Sequence, residues 1–223
     1  MPEKVIWKEG DVQLREVGGE ILSFTCIDDD YHDWQNEHRK AALFLCDRVI
    51  RADVDTAPGK KMKIFSFGKD NNYKTSQVRA WLQKNSQNSS FCLEPIHTGI
   101  QTAYMGSTAA GAFSQTSGRE LVRHDIGFQL MNDQLFCLSL EEALAYREYL
   151  WRFDSGDDNP QSQVSAYSQG YYLRTPFYLQ DENGKFIYNQ QIYGVDLVNG
   201  CLRPVRTDSE TYGVRPAFAL SQM

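Results

Sequence analysis

TYGVRPAFAL, residues 211–220, alternates apolar and polar positions like a half-buried strand, yet it carries an arginine and a proline. Pro216 donates no ladder hydrogen bond, so it belongs at a sheet edge or a bulge. Gly213 permits a bulge or a close approach of another backbone. Val214 and Phe218 are candidates for one face. Arg215, set among apolar residues, needs a carboxylate or carbonyl partner if it is buried. The segment therefore reads as a strand that ties the domain together, with Arg215 and Pro216 in structural roles.

The residues before it have the same character. YYLRTPFYL (171–179), FIYNQQIYGVDL (186–197) and CLRPVRT (201–207) are rich in strand formers. Asn183-Gly184 and Asn199-Gly200 are hairpin-turn dipeptides. The C-terminal third is predicted to be a meander of strands. At the other end, residues 12–17 and 20–27 alternate around Gly18-Gly19 and predict a hairpin. DDDYHDWQNEH (28–38) is acidic and predicts a loop, and AALFLCDRVI (41–50) a buried strand. Val78, Trp81 and Leu82 fall at i, i+3 and i+4 of a short helix, with Thr75 or Ser76 as its N-cap. QLFCL (134–138) reads as a short strand, and Ser139 with Glu142 forms a capping box for a second helix running towards Phe153. Residues 88–128, rich in Ser, Thr, Gly and Ala, read as an insertion or exposed loop.

A chain of 223 residues suits one large domain, taken here as 1–223. The net charge of −6 and the lack of a basic stripe argue against a nucleic-acid partner. Lys60-Lys61-Met62-Lys63 is only a short local run. No apolar stretch is long enough for a membrane span. The N-terminus lacks the apolar core of a signal peptide, so the expectation is a cytoplasmic protein or a trimmed surface protein. Cys26, Cys46, Cys92 and Cys137 sit among apolar neighbours, and with Cys201 they show no C-x-x-C spacing. They read as buried free thiols rather than a disulfide framework or zinc site.

RAWL (79–82), the strand-to-helix step LFCLSLEEAL (135–144), YYLRTP (171–176) and TYGVRPAF (211–218) occur in that order. Together they resemble an uncharacterised bacterial domain family whose members carry an R-x-W-L-N helix, a W-L-R-S-P strand and a terminal Y-G-V-R-P-A. The resemblance covers about residues 12–221. This chain departs from it with Tyr171-Tyr172 and Thr175, and in 88–128. That family is similar to C-type-lectin-like folds, a group that includes formylglycine-generating enzymes and retroelement variable proteins. The resemblance implies an α+β domain with two main helices, a mostly antiparallel sheet, and a last strand returning to pair with the first. It also implies that the surface between the L-R-T-P and V-R-P motifs faces a ligand.

Tyr171, Tyr178, Tyr188, Tyr193 and Tyr212, with Asn189, Gln191, Arg203, Arg206 and Asp208, make that surface the candidate binding face. Tyrosine supplies contact area at low entropy cost, and the polar side chains supply hydrogen bonds. Asp28, Asp29, Asp30, His32, Asp33 and His38, and again Asp154, Asp157 and Asp158, match no metal-site spacing and read as solvated loops. Glu94-Pro95-Ile96 lacks the asparagine of calcium-dependent sugar sites. His124-Asp125 alone does not make a catalytic centre. The expectation is a non-catalytic domain that binds a protein or a glycan and needs no cofactor. The alternatives are a metal- or cysteine-dependent oxidase related to formylglycine-generating enzymes, or a structural or phage-associated assembly module.

Overall fold

The computed structural model describes residues 6–33, 36–50, 66–86, 96–101, 113–114, 128–153, 169–180 and 186–222. Strands β1 (Val12–Val17), β2 (Glu20–Asp33) and β3 (Asn36–Cys46) run in an antiparallel meander. The last strand, β11 (Ala217–Ser221), adds to the far side of β3. A second sheet has the order β10-β7-β8-β9-β5, from β10 (Tyr212–Gly213), β7 (Gly170–Gln180), β8 (Phe186–Asp196), β9 (Cys201–Arg206) and β5 (Phe113–Ser114). β4 (Ile96–Gln101) and β6 (Phe128–Asp133) form a separate ribbon. The helices are short: α1 (Gln77–Ser86) and α2 (Leu140–Ala145), plus single 3-10 turns at Tyr73–Thr75 and Arg147–Tyr149. No helix among the described residues is long and apolar enough to cross a membrane.

The fold is therefore mostly β, and the expected α+β, C-type-lectin-like arrangement with two main helices is corrected. The second helix stops at Ala145 rather than reaching Phe153. Beyond it the backbone turns with i→i+3 bonds, Tyr149 N to Tyr146 O and Arg152 N to Tyr149 O. The carbonyls of Tyr149, Leu150 and Arg152 are taken by the Arg215 side chain. The acidic stretch 28–38 is not a loop. It lies mostly within β2 and β3, and register shifts after Cys26, Asp28 and His32 absorb its extra residues. Asp28, Asp29 and Asp30 stay at the surface while Tyr31 turns inward. Residues 134–138 make only an isolated bridge, Phe136 to Ala217. The region expected as an insertion contains β4 and β5, and β6 begins at its end. Asn183-Gly184, Cys92, Glu94 and His124-Asp125 lie outside the described residues. The last strand pairs with β3, not with β1.

Strand β3 explains the continuous apolar run 41–46. Ala42, Phe44 and Cys46 face one core, with Phe24, Val78, Leu82, Tyr172 and Phe218. Ala41, Leu43 and Leu45 face the other, with Phe136, Leu140, Trp151, Leu173 and Tyr193. A strand buried on both faces has no polar side to show. The Gly18-Gly19 turn closes β1 onto β2 with φ of 65° and 86°, as a tight right-twisted hairpin needs. Ser76, not Thr75, caps α1: its Oγ accepts from Arg79 N at 3.0 Å.

Two arginines tie these layers together. Between Tyr172 and Pro176, β7 shifts register against β8. Freed from the ladder, Arg174 N donates to Leu138 O, and Thr175 Oγ1 accepts from Leu140 N at 2.9 Å. The Arg174 guanidinium is fully buried and grips both oxygens of Glu142 at 2.7 Å. Glu142 also accepts from Ser139 N, completing the capping box, and from the Tyr31 hydroxyl. Burial alone would lower the Arg174 pKa, but the Glu142 carboxylate more than offsets it, so the guanidinium stays charged.

Residues 211–220 form the second tie. Tyr212-Gly213 pairs parallel with Gly170-Tyr171 in one sheet. Val214 exchanges backbone bonds with Ile50 at 2.7 and 2.8 Å, and Pro216 O accepts from Cys46 N. β11 then enters the other sheet, stacking Phe218 on Phe44 at 5.1 Å. Pro216 sits in neither ladder, so its missing donor costs nothing. A Cβ at position 213 would lie 2.6 Å from Ile50 O, so glycine is required there for the approach.

Glu142→Ala should cost about 3–5 kcal/mol in urea unfolding, because it strands a buried guanidinium. Adding Arg174→Met should recover a large part of that loss. Additive losses would show that the pair does not act as a unit.

Candidate functional site

The ten residues of the predicted binding face separate into three groups. Tyr171 and Tyr193 are core side chains. The Tyr171 hydroxyl donates to Leu150 O, and Tyr193 packs edge-on against Phe177. Strand alternation sends them inward, and they correct the expectation of an outward tyrosine face. Tyr178, Tyr188 and Asn189 belong to β7 and β8, but their side chains lie outside the described residues. The remaining five, Gln191, Arg203, Arg206, Asp208 and Tyr212, line one groove of about 560 Å³.

The groove is lined by β8 and β9, by the turns on either side of β9, and by Gln169. Arg206 binds Asp208 through two bonds, Nε at 2.7 Å and Nη2 at 2.6 Å. Both are exposed, so the pair orients the guanidinium more than it stabilises the fold. Arg203 reaches Asp196 at 3.2 Å. Asp196 is buried and held by Val198 N, Asn199 N and the Asn199 amide, which is how the Asn199-Gly200 turn is fixed. Tyr212 is mostly buried and packs on Tyr172, leaving only its rim to the groove. Burial first, and then the Asp196 carboxylate, raise its phenol well above the usual value.

Next to Gln191, Gln190 takes a left-handed φ of 52°, the only non-glycine positive φ among the described residues. Such a conformation costs free energy and persists where neighbours enforce it. Here Asn71 donates to Gln191 O, and Thr207 N donates to Gln190 O. The kink fixes how Gln191 meets the groove. Nothing in the local sequence NQQI marks that backbone state.

The other chemistry-bearing residues are engaged elsewhere. Asp28 accepts from the Tyr146 hydroxyl, while Asp29 and Asp30 pair with Lys8 and Lys40 at 3.4 and 2.9 Å. The side chains of His32, Asp33 and His38, and all of Asp154, Asp157 and Asp158, lie outside the described residues. Burial pushes the Cys26 thiol up to about 11 and those of Cys46 and Cys137 up to about 12. Burial raises Cys201 as well.

A second cavity, of about 520 Å³, lies where Arg215 passes beneath the 149–153 turn. Sequence reasoning read Arg215 as structural and did not single out Arg152 or Glu9, which line the same space. Residues that far apart in sequence carry no local signal of their meeting.

No curated protein and no solved structure matches this chain. Residues 43–222, well over half of the chain, match the family described as a domain of unknown function, DUF6273, and the chain belongs to that family.

Proposed function

We propose that the chain is a non-catalytic binding module and that the groove along β8 and β9 receives a glycan. The reading rests on one observation: Gln191, Arg203, Arg206, Asp208 and Tyr212, read from the sequence as ligand-facing, line a single polar groove. Protein interfaces concentrate their binding energy in desolvated aromatic and arginine anchors. Among the tyrosines whose side chains are described, Tyr171, Tyr172 and Tyr193 are in the core. What remains is a set of amides and neutralised Arg–Asp pairs, Arg206 with Asp208 and Arg203 with Asp196. Donors and acceptors without net charge suit the hydroxyls of a sugar chain, and the exposed rim of Tyr212 offers a small apolar surface.

The four cysteines among the described residues favour this reading over the oxidase alternative. A nucleophilic cysteine needs a lowered pKa and access. Cys26, Cys46, Cys137 and Cys201 are buried, and burial moves each the other way.

Soluble oligosaccharides should raise the melting temperature, since ligand binding to the native state stabilises it by mass action. Arg206→Ala and Gln191→Ala should weaken binding at least tenfold while leaving the unliganded melting temperature unchanged. A panel in which no glycan binds, or in which both variants bind normally, would overturn the assignment.

Iodoacetamide at mildly alkaline pH should leave Cys26, Cys46 and Cys137 unmodified in the native protein and label them in urea, as read by peptide mapping. A rapidly labelled native Cys137 or Cys46 would revive a thiol mechanism. The same shifts predict a pH effect. A raised folded pKa means the native state holds its protons after the unfolded chain has lost them. Stability from Cys46 and Cys137 is thus complete below pH 9.0 and lost as the pH rises from there towards 12. Melting curves across that window should shift steadily downward.

A further inference from the structure

We propose that the cavity beneath Arg215 is a binding site for a small zwitterion of the α-amino acid class with an apolar side chain. It is a different site from the glycan groove and shares no lining residue with it.

Arg215 carries the argument. Its side chain is 2% exposed and lies in the cavity wall. Nε donates to Cys46 O at 2.7 Å, Nη1 to the carbonyls of Tyr149 and Leu150 at 2.9 Å, and Nη2 to Arg152 O at 2.7 Å. A guanidinium has five N–H groups; these bonds use four, and Nη1 also lies 3.4 Å from the Tyr171 hydroxyl. The Phe153 ring lies 4.5 Å from the guanidinium carbon and the Tyr171 ring 5.5 Å. Every contact is to a neutral dipole or an aromatic face. Among the described residues no carboxylate pairs with Arg215, in contrast to Arg174 and its Glu142. A buried cation without a counter-ion is costly, and an anion arriving in the adjoining space would relieve it.

The rest of the lining is built for more than an anion. Arg152 is exposed, stands over the Tyr149 ring at 5.3 Å and forms no ion pair among the described residues. Two carboxylates also line the space. Asp47 is held by the hydroxyls of Ser23 and Thr25 at 2.6 and 2.7 Å, and Glu9 accepts from the Tyr149 hydroxyl. Two cations and two carboxylates give no net charge, so a simple anion would meet repulsion as well as attraction. A zwitterion answers both signs. Ile27, Leu45 and Phe153 supply an apolar surface for its side chain. The volume of about 520 Å³ falls within the range of small-molecule sites.

Calorimetric titration of the full chain with L-phenylalanine and L-leucine tests this. Binding is expected, with 3-phenylpropionate, which lacks the ammonium, and phenethylamine, which lacks the carboxylate, at least tenfold weaker. Arg152→Gln and Glu9→Gln, both at exposed positions, should each weaken the amino acid at least tenfold without moving the melting temperature. Lys84→Ala, exposed on α1 and outside both cavities, should change nothing. No heat at tens of millimolar amino acid, equal binding of either single-charge analogue, or full affinity in the Arg152 variant would overturn the proposal. None of these results depends on whether a glycan binds along β8 and β9.

Discussion

The Arg215 guanidinium holds three parts of the chain in one place. It reaches the end of β3 through Cys46 O, the turn after α2 through Tyr149, Leu150 and Arg152, and β7 through the face of Tyr171. Without it, the Arg152 carbonyl would lose its donor, and those of Tyr149 and Leu150 would each lose one of two. The turn would then have to unwind or admit water. The two sheets meet along this line, and residues 211–221 cross from one to the other beside it. Covering the free edge of β3 depends on that crossing, since β11 pairs there.

Much of this was legible from residue chemistry. The sequence pattern gave the Gly18-Gly19 hairpin, the capping box at Ser139 and Glu142, the meander from β7 to β9, and a structural Arg215 with carbonyl partners. These are local signals, or signals of a side chain that must be satisfied where it stands. The helix content was misjudged for a non-local reason. Residues 146–153 have helix-forming side chains, but Arg215, more than sixty residues later, claims their carbonyls. The run Asp28-Asp29-Asp30 reads as a loop because charge usually marks one. A bulged strand can carry the same residues outward while its backbone stays paired.

The candidate site was half legible. Composition placed it on the C-terminal meander, and its arginines, Gln191 and Asp208 do share a groove. Which tyrosines point inward depends on what covers each face: β7 is buried on both faces at Tyr171 and Tyr172, so alternate positions mark no outward face there. Gln190's left-handed backbone, imposed by partners from Asn71 and Thr207, had no local signature at all. The cavity beneath Arg215 was invisible for another reason. Its walls come from residues 9–47, 149–153 and 215, brought together only by the completed fold.

The pairing of β11 with β3 also has a consequence for synthesis. Ala41 waits for Ser221, and Leu45 for Ala217. As the chain emerges from the ribosome, β1, β2 and β3 can form a sheet early. The free edge of β3, carrying Ala41-Ala42-Leu43-Phe44-Leu45, then stands open while some 170 further residues are made. An apolar strand edge of that kind is a template for pairing with another molecule. Nascent chains of this protein have a long interval of exposure in which a chaperone, or simply low local concentration, must keep that edge unpaired until its own last strand arrives.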